Sequence, residues 1–295
     1  MVAGDFAASV AAVPAWLQHA PGVGLTVADL VAPAFVLAIA LTYRPSFDRR
    51  RADWGEAAAY RHFLLRYLAL IGIGAILSAG GAVVDRATPW GVLQALGVAG
   101  IIALAVIRLG TWWRFAIGAA LLGGYQLVLG AWALDAVAEA THGGFVGAIA
   151  WGAALVLATA LADLWRRGLP AFALGIGAVG LAAAASALLV PIAKTRVSLS
   201  YVLVALTVAA AAFLLTDLGS RLVRDRPGLL AWWGENPLLL YLLHLVLLGA
   251  LTLPAPAWLY ADAPLWLAVV EALVLLALLT VVAWWLHRRR VRLRL

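Results

Sequence analysis

The chain contains no cysteine among its 295 residues, and charged residues make up only 12% of it. Without a thiol, the chain can form no disulfide, zinc–thiolate site or catalytic thiolate. Soluble globular domains carry about 25% charged residues, so a soluble fold is excluded as well. Hydrophobic residues make up 65% of the sequence, and the mean hydropathy is +1.01. This composition predicts an all-α, polytopic helical membrane protein.

Apolar stretches near 20 residues long recur along the sequence, and each is long enough to cross a bilayer as one helix. Nine complete crossings are predicted, over residues 25–43, 62–84, 90–109, 112–134, 143–165, 169–190, 198–222, 229–253 and 264–286. No linker interrupts this pattern, which indicates a single transmembrane domain over residues 1–295. Residues 1–13 are apolar but too short to cross. We expect them to belong to a truncated first helix within 1–15, or else to a short interfacial segment.

Basic residues are concentrated in alternate connections between the predicted crossings. Eighteen of the 21 lie in these connections or in the carboxy-terminal tail, whereas the opposite connections hold only Arg86, Lys194 and Arg196. Because cytoplasmic loops are enriched in Lys and Arg, the tail is predicted to be cytoplasmic and the His19 loop extracytoplasmic. The arginines are dispersed over five sites, which favours contact with anionic lipids over binding of nucleic acid. Arginine outnumbers lysine by 20 to 1, as is typical of GC-rich bacterial genes, so we expect a plasma-membrane protein.

Polar side chains at membrane depth are candidates for function, because a central charge costs ~2.5–3.5 kcal/mol to insert. His19, in a predicted loop at the membrane surface, is nevertheless the foremost candidate, since imidazole exchanges protons near pH 7. Asp29, near the start of the next helix, is predicted to orient its neighbours or to accept a hydrogen bond from His19. A purely structural role fits Asp29 equally well. Asp5 is placed to orient the His19 ring or to bind a substrate hydroxyl.

Five further polar residues are candidates for binding substrate, namely Gln94, His142, Lys194, Ser200 and Asn236. Gln94 fits equally well as an interhelical hydrogen-bonding residue, and Lys194 as a side chain that snorkels to the membrane surface. Asn236 precedes Pro237, which suits the first turn of a helix. The five histidines are scattered, so no metal site is predicted.

The order of several motifs resembles that of a known family. His19-Ala20 is followed by Gly-Leu-Thr-Val-Ala-Asp-Leu-Val-Ala-Pro (24–33), an Arg-rich loop, Gly-Val-Leu-Gln (91–94), Ser-Leu-Ser-Tyr (198–201) and Gly-Glu-Asn-Pro (234–237). This order resembles the heparan-alpha-glucosaminide N-acetyltransferase family of polytopic acyltransferases and its bacterial relatives. The resemblance covers nearly the whole chain, and the 24–33 stretch is its most specific part.

The resemblance implies an acyltransferase that takes acetyl-CoA from the cytosol and delivers the acetyl group to an amino sugar across the membrane. It also implies that His19 is the catalytic acid–base or acyl carrier. Asp5 stands where the family commonly has an Asn. Arg66 and Arg114 are candidates for binding the CoA phosphates, since guanidinium matches phosphate well. The expected partners are acyl-CoA, a sugar or glycan acceptor, membrane lipids and a second copy in a homodimer.

Two other interpretations stay open. One is a small-molecule transporter or flippase of the cell envelope, whose mark would be inverted repeats with paired broken helices. The sequence shows no convincing pair of this kind. The other is a degenerate, inactive homologue, which the truncated start favours.

Overall fold

The computed structural model of the chain describes residues 10–83, 90–138, 140–222, 228–252 and 256–292. The chain divides into two compact units. The larger, here the main unit, comprises Ala20–Leu25 and Asp29–Leu218; the smaller, the terminal unit, comprises Met1–His19, Thr26–Ala28 and Gly219–Leu295. A single domain over residues 1–295 stays a prediction.

All the regular structure of the described chain is helical. The main unit contains α1 (Val31–Trp54), α2 (Glu56–Val83), α3 (Val92–Val106), α4 (Thr111–Val128), α5 (Leu134–Ala138), α6 (Gly144–Arg167), α7 (Leu169–Ala187) and, as far as Leu218, α8 (Leu199–Leu222). A π-helical turn, Leu129–Ala133, joins α4 to α5 in one continuous span. The terminal unit contains α9 (Leu229–Glu235), α10 (Pro237–Thr252) and α11 (Leu265–Arg288).

Within the described ranges, seven helices are long and apolar enough to cross a membrane, or eight if the bent pair α9–α10 is one span. The prediction of an all-α, polytopic protein is therefore confirmed, but the number of full-length crossings is lower than the predicted nine. Helix α3 has 15 residues, and at 1.5 Å per residue it reaches only about 22 Å, short of a ~30 Å hydrocarbon core. The predicted crossing over 229–253 is broken at Asn236, where α9 and α10 meet at 90°.

Helix α6 forms the core of the main unit. In its most apolar stretch of 18 residues, 83% of the residues are buried, against 17 to 39% in the corresponding stretches of the other full-length spans. It packs against α1, α3, α4 and α7. Small residues make this possible, because helices in lipid approach closely only where side chains are short. At Gly152, an added Cβ would lie 2.5 Å from the Ile102 side chain. The Ala- and Gly-rich sequence of α6 thus follows from contact with helices on every side.

The terminal unit has its own apolar core, formed by Val10, Leu240, Tyr260, Ala268, Leu275, Leu279 and Ala283. Helices α9 and α10 both pack against α11. Residues 10–13 form a turn, and a single 3₁₀ turn, Ala15–Leu17, follows Pro14. The predicted first helix therefore does not extend to residue 15. Residues 1–9, with Asp5, lie outside the described part of the chain.

Candidate functional site

Asp29 is the centre of a buried polar cluster in the main unit. It lies in a 3₁₀ turn, Ala28–Leu30, that leads into α1, and its side chain is fully buried. Its Oδ2 accepts a hydrogen bond of 3.2 Å from the Ala20 N–H, and its Oδ1 lies 3.4 Å from Nζ of Lys194. The Tyr201 hydroxyl donates to the Asp29 carbonyl at 2.8 Å. A carboxylate removed from water is tolerated only when it is paired and hydrogen-bonded, and these contacts meet both requirements.

Lys194 reaches Asp29 because two loops of the main unit are joined. Gly24 donates its N–H to the Ile192 carbonyl at 2.8 Å and forms an isolated parallel bridge with Ala193. The φ of Gly24 is +122°, a conformation that residues with a Cβ rarely adopt. The first residue of the 24–33 motif therefore sets the loop geometry that brings Lys194 to the carboxylate.

The Ser-Leu-Ser-Tyr motif builds the start of α8. Ser198 Oγ accepts hydrogen bonds from the N–H groups of Ala193 and Tyr201, as a helix-capping hydroxyl does. Ser200 is fully buried, and its hydroxyl donates to the Pro191 carbonyl at 3.0 Å. In this structure both serines therefore stabilise the loop that carries Lys194.

His142 lies at the same end of the main unit. Its carbonyl accepts a hydrogen bond of 3.2 Å from Trp151 Nε1. The centroids of the His142 and Trp151 rings lie 6.4 Å apart. The Trp151 ring meets the Tyr201 ring edge-on at 6.2 Å. Of the predicted substrate residues, His142, Lys194 and Ser200 thus belong with Asp29 to one group, here the Asp29 cluster, completed by Trp151, Ser198 and Tyr201.

His19 belongs to the terminal unit and its side chain is exposed. The residue before it is held firmly, because Gln18 Nε2 donates to the carbonyls of Val10 and Val13 at 3.2 and 3.0 Å. The Gln18 carbonyl in turn accepts from the Thr26 hydroxyl at 2.6 Å. The residue after it is Ala20, whose N–H binds Asp29. The backbone is therefore held by hydrogen bonds on both sides of His19.

Gln94 is buried between α2 and α3. Its Oε1 accepts from the Gly91 N–H and its Nε2 donates to the Ser78 hydroxyl, both at 3.0 Å. A side chain at Gly74 would overlap the Gln94 amide, so the missing Cβ makes room for it. These contacts fit the interhelical role that the sequence left open for Gln94. Asn236 lies in the terminal unit, where its amide donates to the Val291 carbonyl at 2.9 Å.

A second polar cluster lies at the opposite end of the main unit, and sequence reasoning missed its centre, Asp163. This carboxylate accepts hydrogen bonds from Arg44 at 2.9 Å, Arg166 at 3.0 Å, the Thr111 hydroxyl at 3.0 Å and the buried Arg114. Asp163 was detectable, because it is the one acidic residue in the predicted crossing 143–165. An ionisable residue in such a segment is a functional candidate by default.

Arginine is in excess around Asp163. The Arg114 side chain has no solvent exposure, and its Nη1 has no hydrogen-bond partner among the residues that the structure describes. Arg66 lies at the same end. The ring of its neighbour Tyr67 stacks on the ring of Tyr43, with 5.5 Å between the ring centroids, and Tyr43 directly precedes Arg44. The buried Arg66 Nε likewise has no hydrogen-bond partner in the described chain. These two unsatisfied guanidinium atoms fit the binding of an anionic group.

The two clusters are separated by about 22 Å, the helical rise between Asp29, in the turn before α1, and Arg44 within α1. One end of the main unit therefore carries a buried carboxylate with hydroxyls, an indole and an imidazole, and the other carries excess arginine. Among the described residues, no group of three His, Asp or Glu side chains is placed to hold a metal ion.

Comparison with known families supports the motif resemblance. The family model for the catalytic region of heparan-alpha-glucosaminide N-acetyltransferase matches residues 1–145, which include His19, Asp29 and Gln94. No curated protein matches the chain. The predicted resemblance is confirmed over this region: residues 1–145 are similar to the catalytic region of heparan-alpha-glucosaminide N-acetyltransferase.

Proposed function

We propose that this protein transfers an acetyl or related acyl group from cytosolic acyl-CoA to a sugar or glycan on the other side of the membrane. The family match over His19 and Asp29 is the observation that carries the proposal. In the reaction, the C–S bond of the thioester breaks and a C–N or C–O bond forms to the acceptor. CoA leaves as the thiol and takes up the proton that the acceptor gives up.

His19 carries this chemistry in either of two ways. As a general base, its imidazole removes the acceptor proton while the acceptor attacks the thioester carbonyl carbon, and it then protonates the departing thiolate. As an acyl carrier, it attacks the thioester itself and passes the acyl group from its ring nitrogen to the acceptor. Positioned imidazole contributes roughly 10²–10⁴-fold in such roles.

Asp29 and Asp5 are proposed as residues that orient His19. The support for Asp29 is its hydrogen bond to the Ala20 N–H, whose nitrogen is bonded to the His19 carbonyl carbon. Lys194 Nζ lies 3.4 Å from the other oxygen of this carboxylate, and hydrogen bonds accepted by an ion-paired carboxylate are of the stronger, charge-assisted kind. Asp5 is proposed on its place in the sequence alone.

The two ends of the main unit suit the two substrates. We assign the acceptor to the Asp29 end, with Gln94, His142, Lys194 and Ser200 as candidate contacts. Asn236, whose amide binds the Val291 carbonyl beside the carboxy-terminal tail, is kept as a substrate-binding candidate but not as an acceptor contact. The CoA phosphates are assigned to the arginine-rich end, with Arg66 and Arg114 as ligands, because guanidinium pairs with phosphate through two parallel hydrogen bonds. On the positive-inside bias of the sequence, we assign the arginine-rich end to the cytoplasm. The carboxy-terminal tail is proposed to be cytoplasmic on the same ground, in a plasma-membrane protein.

The proposal is tested with the full chain in proteoliposomes, supplied with labelled acetyl-CoA outside and a panel of amino sugars inside, and the reverse. The His19→Ala variant is expected to lose roughly 100-fold or more of the transfer rate while its melting temperature stays near that of the parent. His62→Ala, the same substitution in α2, serves as the control and keeps full activity. Retention of full activity by His19→Ala would remove this residue from the mechanism.

The two roles of His19 are separated by rapid quenching in the absence of acceptor. An acyl carrier gains the mass of one acetyl group on the peptide containing His19, whereas a general base gains none.

A transporter is the second candidate, and the 90° break between α9 and α10 favours it, because transporters use broken helices at their binding sites. Uptake of sugar into proteoliposomes without any acyl-CoA would support it. A degenerate homologue would show neither transfer nor uptake.

A further inference from the structure

The terminal unit contains a cavity of about 420 Å³ that the proposed acyl transfer does not use. It is lined by Glu235, His287, Arg290 and Arg292. Its walls come from two places where the chain changes direction, the bend between α9 and α10 and the turn that follows α11. The Asn236 amide ties them together through its 2.9 Å hydrogen bond to the Val291 carbonyl. The cavity is therefore part of the folded unit and lies within the size range of small-ligand sites.

The cavity carries an excess of positive charge. Glu235 Oε1 lies 3.1 Å from both His287 Nδ1 and Arg292 Nη2, so its single negative charge is already shared between two partners. Arg290 also lines the cavity, and the described residues place no carboxylate within ion-pair distance of it. An anion entering the cavity would meet this guanidinium without displacing an existing ion pair.

The backbone of Arg290 supports the same conclusion. It occupies the left-handed position of the turn that ends α11, with φ +55°, in a motif completed by hydrogen bonds from Arg290 N to His287 O and from Val291 N to Leu286 O, both 3.0 Å. Glycine is the usual residue at this position, because a Cβ is strained there. The turn itself therefore does not call for arginine, and a strained residue at a cavity points to a role for its side chain.

We infer that this cavity binds a phosphate ester, with Arg290 and Arg292 donating hydrogen bonds to the phosphate oxygens. Guanidinium groups match phosphate in charge and geometry. The phosphate comes either from an anionic lipid headgroup at the membrane surface or from a soluble molecule, and the two sources share this chemistry. The inference does not rest on the proposed acyl transfer.

Three variants of the full-length protein test the inference. Arg290→Gln removes the positive charge, and Arg290→Gly removes it while also relieving the backbone strain. Arg289→Gln is the matched control: it removes the same charge one residue away, where the guanidinium lies over the Trp285 ring at 6.0 Å and does not line the cavity.

Two measurements separate the sources of the phosphate. Binding of inorganic pyrophosphate to the detergent-purified protein is followed by calorimetry, and lipid retention is followed by native mass spectrometry after reconstitution in phosphatidylglycerol or phosphatidylcholine nanodiscs. For a soluble source, both Arg290 variants weaken pyrophosphate binding roughly tenfold or more, and Arg289→Gln does not. For a lipid source, the Arg290 variants lose bound phosphatidylglycerol and the control keeps it.

The melting temperature distinguishes ligand binding by Arg290 from a purely structural role. Arg290→Gly is expected to melt at or above the parent temperature although it loses the ligand, because glycine fits the left-handed turn. If both Arg290 variants bind pyrophosphate and retain phosphatidylglycerol as Arg289→Gln does, the inference is overturned.

Discussion

The Asp29 carboxylate and the Lys194 ammonium lie 3.4 Å apart, with the carboxylate fully buried and the lysine side chain only 14% exposed. Each charge is held in the protein interior by the other, and the loops of residues 20–25 and 188–198 are joined through them. Removing one partner of such a pair leaves an uncompensated charge, which is more costly than replacing both. The ion pair therefore makes the structure of this end of the main unit sensitive to single substitutions.

Lys194→Met is predicted to lower the free energy of unfolding by ~3–5 kcal/mol. The double variant Asp29→Asn/Lys194→Met should recover much of this loss, because the amide needs no counter-charge and can still accept from the Ala20 N–H. Thermal unfolding of the detergent-purified proteins measures both effects. The control is Arg108→Gln, which breaks an ion pair to Glu56 in which both side chains are about half exposed; it should cost at most ~1 kcal/mol. Equal losses for Lys194→Met and Arg108→Gln would contradict the importance of the buried pair.

Arg66 and Arg114, the two candidates for the CoA phosphates, are predicted to respond differently to substitution. Arg66→Gln should weaken CoA binding with little change in melting temperature, because Arg66 forms no ion pair with the described residues. Arg114→Gln should destabilise the fold, since Arg114 is buried and binds Asp163. Equilibrium binding of CoA and thermal unfolding, measured on the same preparations, separate the two effects, with exposed Arg61→Gln as the control. Unchanged CoA affinity in Arg66→Gln would remove that residue from the phosphate site.

The close approach of α3 to α2 leads to a prediction about glycine. A Cβ at Gly100 would overlap the Tyr67 ring, whereas a Cβ at Gly124 in α4 would meet no atom within 4 Å. Gly100→Ala should therefore destabilise the protein by ~1–3 kcal/mol through overpacking. Gly124→Ala should be neutral or stabilising, because alanine favours the helix by up to ~1 kcal/mol. A matched pair of melting curves tests this difference, and similar curves for the two variants would show that α2 and α3 are not in close contact.

Hydropathy was sufficient to predict the all-α polytopic fold, because each crossing is a local property of about 20 residues. It did not predict the break at Asn236, although Pro237 does begin α10 as the sequence suggested. The apolar pattern continues through the bend and contains no sign of the 90° change in direction. Helix α3 was assigned too great a length for a similar reason, since apolar residues flank it on both sides.

The candidate site was predictable in part. Asp29 was predicted to be an orienting or structural carboxylate from its place near a helix start, and the 24–33 motif indicated the family resemblance. Its ion pair with Lys194 was not predicted, because the loop that holds Lys194 comes from a distant part of the sequence and depends on the backbone of Gly24. The Asp163 cluster was not predicted, although Asp163 stands inside an apolar segment, because its partners Arg44 and Arg114 come from distant parts of the sequence.

The proposed orientation of the main unit can be tested by labelling introduced cysteines, without background labelling, because the chain has no cysteine of its own. Thr141 is exposed at the end that carries the Asp29 cluster, and Ala52 is exposed at the arginine-rich end. In intact cells, a membrane-impermeant maleimide should label Thr141→Cys directly and Ala52→Cys only after permeabilisation, since basic loops stay in the cytoplasm.

The same labelling decides whether the protein must carry an acyl group across the membrane at all. Acyl-CoA is assigned to the cytoplasmic side. If Thr141→Cys is labelled from outside, the Asp29 cluster lies on the other side, about 22 Å from the arginine-rich end assigned to the CoA phosphates. The acyl group would then have to pass along the main unit to reach its acceptor. If Ala52→Cys is labelled from outside and Thr141→Cys is protected, the Asp29 cluster faces the cytosol and transfer to a cytosolic acceptor becomes the simpler mechanism.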